Sequence, residues 1–227
     1  MEMEFGTGGM RGKCAPGTNR INTATIAMAT QGLCNYLKSK ESELPSPLKV
    51  TIAYDSRLQS PMLSRVTAEV LSGNGIEALI YPELRPTPQL SFTVSHLGCA
   101  AGIVITASHN PFNWLGLKIK SFQGCSVDKS FTEKVQKRIN LGNKIEMQYG
   151  SYEKVNVKDY HLEKIKSQFD VDFIVKKLNE MNIRVFVDSM HGSSAKSIEK
   201  IFNNQEKIAV QGIRENRDPY FGGNPPE

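Results

Sequence analysis

No stretch of 18 or more apolar residues occurs in the 227-residue sequence, which leaves no candidate for a membrane-spanning helix. Its start, Met1-Glu2-Met3-Glu4-Phe5, is acidic where a secretory leader would be basic and then apolar. A cytoplasmic protein with no membrane partner is the expectation. Cys14, Cys34, Cys99 and Cys125 are far apart and form no CxxC pair, so neither a zinc site nor a disulfide framework is indicated, and the four read as reduced thiols. His96 and His161 have no metal-like neighbours in sequence. There is also no block of like charge. The net charge of +5 comes from dispersed Lys and Arg, which suits small anionic substrates and does not call for nucleic acid. Lys134, Lys137 and Arg138 fall on a solvated helix face.

What is present is the rhythm of an α/β protein. Asn22 caps a helix reaching about residue 40, with Ile26, Ala29, Leu33 and Leu37 on one stripe. A buried strand follows over 49–54 (KVTIAY), and Ser60-Pro61 opens a second helix that ends at 73–75. Further on come a strand over 77–81, a helix from Thr87-Pro88 to His96, an apolar strand over 101–106 (AGIVIT), a short strand over 116–121 and a closing helix over 128–140. Alternating strands and helices of this length imply a mainly parallel sheet sandwiched by helices. Residues 1–142 read as this first domain, 143–157 as a polar linker, and 158–227 as a partial second α/β domain. The second has helix over 158–182, strand over 183–188, helix over 193–202 and strand over 208–213. Beyond about residue 217 the chain reads as a loop.

The sharpest local signal is Thr106-Ala107-Ser108-His109-Asn110-Pro111, directly after an apolar strand. In open parallel sheets, ligands bind just outside the carboxyl ends of the strands. A serine nucleophile there needs help, and His109 with Lys118 offers a proton acceptor and a cation. The same residues equally suit a strand-to-turn junction. The glycine-rich 5–13 segment (FGTGGMRGK) fails as a P-loop, because Thr7 and Cys14 stand where Gly and Ser/Thr are required. It also fails as a dinucleotide fingerprint, for want of a preceding strand. Alone it reads as a flexible leader whose backbone N–H groups, with Arg11, could approach an anion. Asp188-Ser189-Met190-His191-Gly192 lacks the G-x-S-x-G frame of a hydrolase elbow, and Ser193 is expected to cap the helix after it. Trp114 is expected to serve as a lid or core residue of the Ser108 loop.

Seven segments taken in order, namely FGTGGMRG (5–12), YDSR (54–57), RPTP (85–88), TASHNP (106–111), GLK (116–118), DSMHG (188–192) and DPYFGGNPPE (218–227), resemble the α-D-phosphohexomutase superfamily of phosphoglucomutases and phosphomannomutases. The resemblance implies four domains in a complete enzyme, an isomerase that moves phosphate between the 1 and 6 positions of a hexose phosphate through a bisphosphorylated intermediate such as glucose 1,6-bisphosphate. It implies Ser108 as the phosphoserine, His109 and Lys118 assisting proton transfer, Arg11 on the phosphoryl group, and Thr7, Gly8, Arg11, Asn110 and Lys118 around the phosphate. One Mg2+ would bind through the Ser108 phosphate, with its remaining ligands, an Asp-Gly-Asp-x-Asp-Arg loop, expected beyond Glu227. The chain is thus expected to be truncated and inactive alone, needing C-terminal domains. GTNR, ATQG and ELRPTP look more like the phosphoglucomutase/phosphopentomutase branch, and KIKSFQGCS and DPYFGGNPPE more like bacterial phosphoglucomutase/phosphomannomutase, so pentose specificity or a noncatalytic sugar-phosphate-binding fragment stand as alternatives.

Overall fold

KVTIAY and AGIVI are apolar almost throughout, and such strands belong where helices cover both faces of a sheet. In the computed structural model, which describes residues 5–6, 8–142, 144–202 and 210–226, they form β2 (Lys49–Tyr54) and β4 (Ala101–Ile105), paired in parallel at the sheet centre. Around them lie β1 (Gly9–Lys13), β3 (Glu77–Ile80), β5 (Trp114–Ser121) and β6 (Glu153–Lys154), in the order β1-β5-β4-β2-β3-β6. The β2–β3, β2–β4 and β3–β6 pairs are parallel, and β5 runs antiparallel to both β4 and β1. The sheet is α/β and mainly parallel, as the sequence led one to expect.

Side chains alternate between the faces with period two. Val50, Ile52, Ile103, Ile105, Leu115, Leu117 and Ile119 enter the larger core beneath α1 (Thr23–Lys38), α2 (Ser60–Gly73) and α4 (Lys129–Asn140). Ala53 and Val104 point the other way, toward Leu90 of α3 (Thr87–His96) and Val157 beside α5 (Lys158–Lys166). Asn22 caps α1 through the Thr25 N–H, and Asp128 caps α4 through the Phe131 N–H. On α4, Lys134 and Lys137 are exposed, while Arg138 lies over the Tyr36 ring at 5.1 Å.

Several expectations need correction. The glycine-rich start is not a loose leader. It is edge strand β1, held so close to β5 that a Cβ at Gly116 would stand 2.2 Å from the Met10 carbonyl oxygen. Hydrogen bonds with the exposed side of β5 decided its structure, and no local propensity announced them. The helix expected over 158–182 is two, α5 and α6 (Val171–Glu180), because Asp170 accepts from the Phe173 N–H and starts a new helix. Ser193 is not a cap, since the next helix, α7 (Ser197–Phe202), begins four residues later. β7 (Val185–Asp188) and β8 (Val210–Ile213) pair in parallel, and residues 208 and 209 of the expected strand lie outside the described residues. Of the expected linker 143–157, residue 143 lies outside the described residues and 144–157 run along the sheet: the Gln148 N–H donates to Glu69 O and β6 joins β3. No described helix is long and apolar enough to cross a membrane.

Candidate active site

β2, β3 and β4 all end on one rim, and the loops leaving β2 and β4 meet there. Asp55 and Arg57, just after β2, organise the meeting. The Arg57 side chain is fully buried and its Nε donates to Asp55 Oδ2 at 3.0 Å. Its other two nitrogens donate to four carbonyls of the loop after β4: Ser108 O (3.0 Å), Asn110 O (2.7 Å), Pro111 O (2.6 Å) and Trp114 O (3.1 Å). A guanidinium presents five donors in a rigid fork, which is why arginine and not lysine can hold so many carbonyls. Burial pulls the Arg57 pKa down, and the Asp55 carboxylate opposes that. Asp55 is in turn fixed by the hydroxyls of Ser60 (2.6 Å) and Thr106 (2.7 Å).

Held in this way, Ser108 adopts φ 57°, a left-handed conformation that costs a residue with a Cβ about 1–3 kcal/mol unless its surroundings enforce it. The Thr106 hydroxyl accepts from the Ser108 N–H at 2.9 Å, and Ser108 and His109 both project into solvent. Strain at an exposed serine, supported from beneath by a buried ion pair, is a pattern found at functional loops.

Cations gather beside it. Gly9 pairs with Lys118 and Arg11 with Gly116, so Arg11 and Lys118 share the sheet face opposite Met10 and Leu117, which are in the core. Arg11 Nη1 donates to Asn110 Oδ1 at 2.7 Å, joining β1 to the serine loop. The Lys118 pKa is lowered first by burial and then by Arg11 and Lys120, with Asp55 pulling it back up. Gly8, at φ 77°, precedes β1, and its carbonyl accepts from the Ile119 N–H. Thr7 lies outside the described residues. The structure thus gathers Ser108, His109, Asn110, Arg11 and Lys118 at one place. Trp114 is no lid: it begins β5, half-buried, with its carbonyl held by Arg57.

Asp55, Arg57 and Thr106 were given no role from sequence, although a charged D-x-R directly after a buried strand was a usable signal. The tail was missed too. Phe221 is buried and lies against the Arg57 guanidinium, 4.9 Å from the guanidinium carbon to the ring centroid, Arg217 Nε donates to Ser56 O at 3.1 Å, and Tyr220 meets Phe112 edge-on at 5.2 Å. A segment expected to be a plain loop is a cover for the arginine that shapes the serine loop. No group of three or more His, Cys, Asp or Glu among the described residues is placed to hold a metal.

A family model described as phosphoglucomutase/phosphomannomutase, alpha/beta/alpha domain I, matches residues 2–146. The phosphoglucomutase of Staphylococcus haemolyticus (strain JCSC1435) is 31% identical over 227 residues, covering 97% of this chain and 41% of that protein. The phosphopentomutase of Homo sapiens is 29% identical over 237 residues, covering 96% of this chain and 38% of that one. A solved candidate phosphomannomutase from Thermus thermophilus superposes with a TM-score of 0.85 at 28% identity, covering 100% of this chain and 49% of that chain. The chain therefore spans about two-fifths of the length of the curated relatives it matches. It belongs to the phosphoglucomutase/phosphomannomutase family.

Proposed function

We propose that this chain carries the phosphoserine half of a phosphohexomutase active site, with Ser108 accepting and returning a phosphoryl group on a sugar phosphate. The observation that supports this best is the pairing of an exposed, strained Ser108 with Arg11 and Lys118 on the adjoining sheet face. Phosphorylation brings about two negative charges to that position, and cations already crowded there are stabilised by them. In the forward step the bond from phosphorus to the Ser108 oxygen breaks and a bond to the sugar hydroxyl forms. The sugar hydroxyl proton leaves to a base and Ser108 Oγ takes up a proton. Lys118, whose pKa is lowered, is assigned chiefly to that transfer, with His109 supporting it. Arg11 and Asn110 orient the group, and positioning and electrostatics supply most of the effect.

Magnesium is the ion expected of the family, but the described residues do not make a site for it. Ser108 and its phosphate would offer a few oxygens with cations beside them, where Mg2+ asks for octahedral oxygen ligation. Because the chain spans about two-fifths of its relatives, the reaction assigned to it is this half-reaction, with hexose phosphates as partners and the remaining domains needed for turnover. A phosphopentose substrate is the second reading, favoured by the similarity to a protein named phosphopentomutase.

The test is incubation with glucose 1,6-bisphosphate labelled in both phosphates, followed by peptide mapping. Label on the peptide containing Ser108, absent from Ser108→Ala, is expected. Label elsewhere, or none under conditions where the variant and the parent are equally folded, overturns the reading. Ribose 1,5-bisphosphate in parallel separates hexose from pentose preference.

A further inference from the structure

At the end of β3, two strands along the sheet from β4, the loop 81–86 and the second unit enclose a hollow of about 250 Å3. Its lining includes Arg85 and Gln89 on one side and Lys158, Ser193, Lys196 and Ser197 on the other. It shares no residue with the Ser108 group.

Two buried atoms beside this hollow lack a hydrogen-bond partner within the described residues, and its lysines crowd one another. Arg85 is buried, and although Nη1 donates to Leu84 O and Nη2 to Glu83, its Nε has no hydrogen-bond partner there. Gln89 is 2% exposed, and its Oε1 is likewise unpartnered. Lys200 is a close neighbour of Lys158, and this lysine, followed by burial, brings the Lys158 pKa down to about 8. Arg85 adds to the same positive field, and Glu83 is the acidic group that opposes it. Buried donors and crowded like charges are both unfavourable until something accepts from them.

We propose that this hollow is a second anion site, which takes the phosphate of a phosphorylated, hydroxyl-bearing small molecule. A dianionic tetrahedral group has enough oxygens to accept from the Lys158 and Lys196 ammonium groups at once, with the Ser193 and Ser197 hydroxyls beside them and the Arg85 guanidinium and Lys200 adding to the positive field. The Gln89 amide suits a hydroxyl next to the phosphate. A carboxylate brings only one charge to three or four cations and fits less well. Because Arg85 and Gln89 belong to the first unit and Lys158, Lys196 and Lys200 to the second, the ligand would also bridge the two. The inference is independent of the role of Ser108.

Inorganic phosphate is the probe. It is titrated into the 15N-labelled chain at constant ionic strength held with chloride, and amide shifts are followed. Saturable shifts at Arg85, Ser193, Lys196 and Ser197 are expected, and they persist in Lys118→Met. In the double variant Lys158→Gln/Lys196→Gln, the affinity should fall about tenfold or more, since two charge-assisted donors are lost. Shifts that stay linear, that are confined to residues 108–118, that vanish in Lys118→Met, or that survive unchanged in the double variant overturn the proposal.

Discussion

Replacing Arg57 tests whether the serine loop is shaped from beneath. The ion pair with Asp55 has side chains 0% and 13% exposed, so the discount that applies to surface pairs does not apply here. Removing one partner of a buried pair costs about 3–5 kcal/mol. Four guanidinium-to-carbonyl bonds at about 1.5–3 kcal/mol each would sum to more, but the carbonyls belong to a solvent-facing loop and regain water when released. Arg57→Met should therefore lower stability by about 3–5 kcal/mol. Arg57→Lys keeps a charge for Asp55 but reaches fewer carbonyls, and should cost about 1–3 kcal/mol. Typical domains hold about 5–15 kcal/mol, so the lysine variant remains folded. Trp114 is the only tryptophan and its carbonyl is one of the four, so its fluorescence in urea reports on this unit. The lysine variant should also slow phosphorylation of Ser108 by about tenfold or more, because the energy that enforces the strained φ has gone. A lysine variant with the parental urea midpoint and the parental rate of phosphorylation would refute the account.

Thiol accessibility gives a second check. Cys34 and Cys99 are buried, and burial raises them to about 12 and about 11, so iodoacetamide at pH 8 should modify exposed Cys125 and leave both until the chain unfolds, as read by mass spectrometry. Gly116→Val should lower the urea midpoint and release β1, since the added side chain meets the Met10 carbonyl; hydrogen exchange at residues 9–13 should rise, and protection as in the parent would contradict the packing. Lys118 gives a pH effect. Its folded pKa lies below the unfolded value, so between the two the unfolded chain binds more protons and stability rises with pH. The gain from neutral pH toward the ordinary lysine range should be smaller in Lys118→Met, and equal slopes would remove Lys118 from the cation group.

The elements that were legible from sequence are those whose causes are local. Asn22 and Asp128 announce helix starts because their side chains bond the first-turn N–H groups, and KVTIAY and AGIVI announce central strands by composition alone. β1 was not legible, because glycine and methionine there pair only through the backbone of β5, more than 100 residues away in sequence. The break at Asp170 was visible in principle as a capping residue, but the apolar residues on either side resemble one helical pattern. At the site, Ser108, His109, Asn110, Arg11 and Lys118 were singled out by motif order. What holds them was not, since Arg57 acts through carbonyls of residues 51–57 positions away, and Phe221 acts on Arg57 from the far end of the chain. Backbone carbonyls leave no trace in a sequence motif.

The same geometry sets a limit on how the serine loop behaves before it carries phosphate. Arg11, Lys118 and Lys120 stand together on one face, and Asp55, the acid that draws the Lys118 pKa upward, already accepts from Arg57, Ser60 and Thr106. Among the described residues, the acceptor that Arg11 reaches is the neutral Asn110 oxygen, which brings no opposing charge. Among the described residues the unmodified loop therefore faces more positive than negative charge, and each further cation destabilises it through its neighbours. A phosphate on Ser108 changes the sign of that interaction: it should raise the Lys118 pKa, order the Arg11 side chain and stabilise the first unit, while Arg57, already saturated beneath the loop, should change little. Salt screens exposed charges with a Debye length of about 8 Å at physiological strength, so the difference in stability between phosphorylated and unmodified chain should shrink as salt is added. A difference independent of salt would mean that the phosphate is held by the loop's hydrogen bonds and not by these cations.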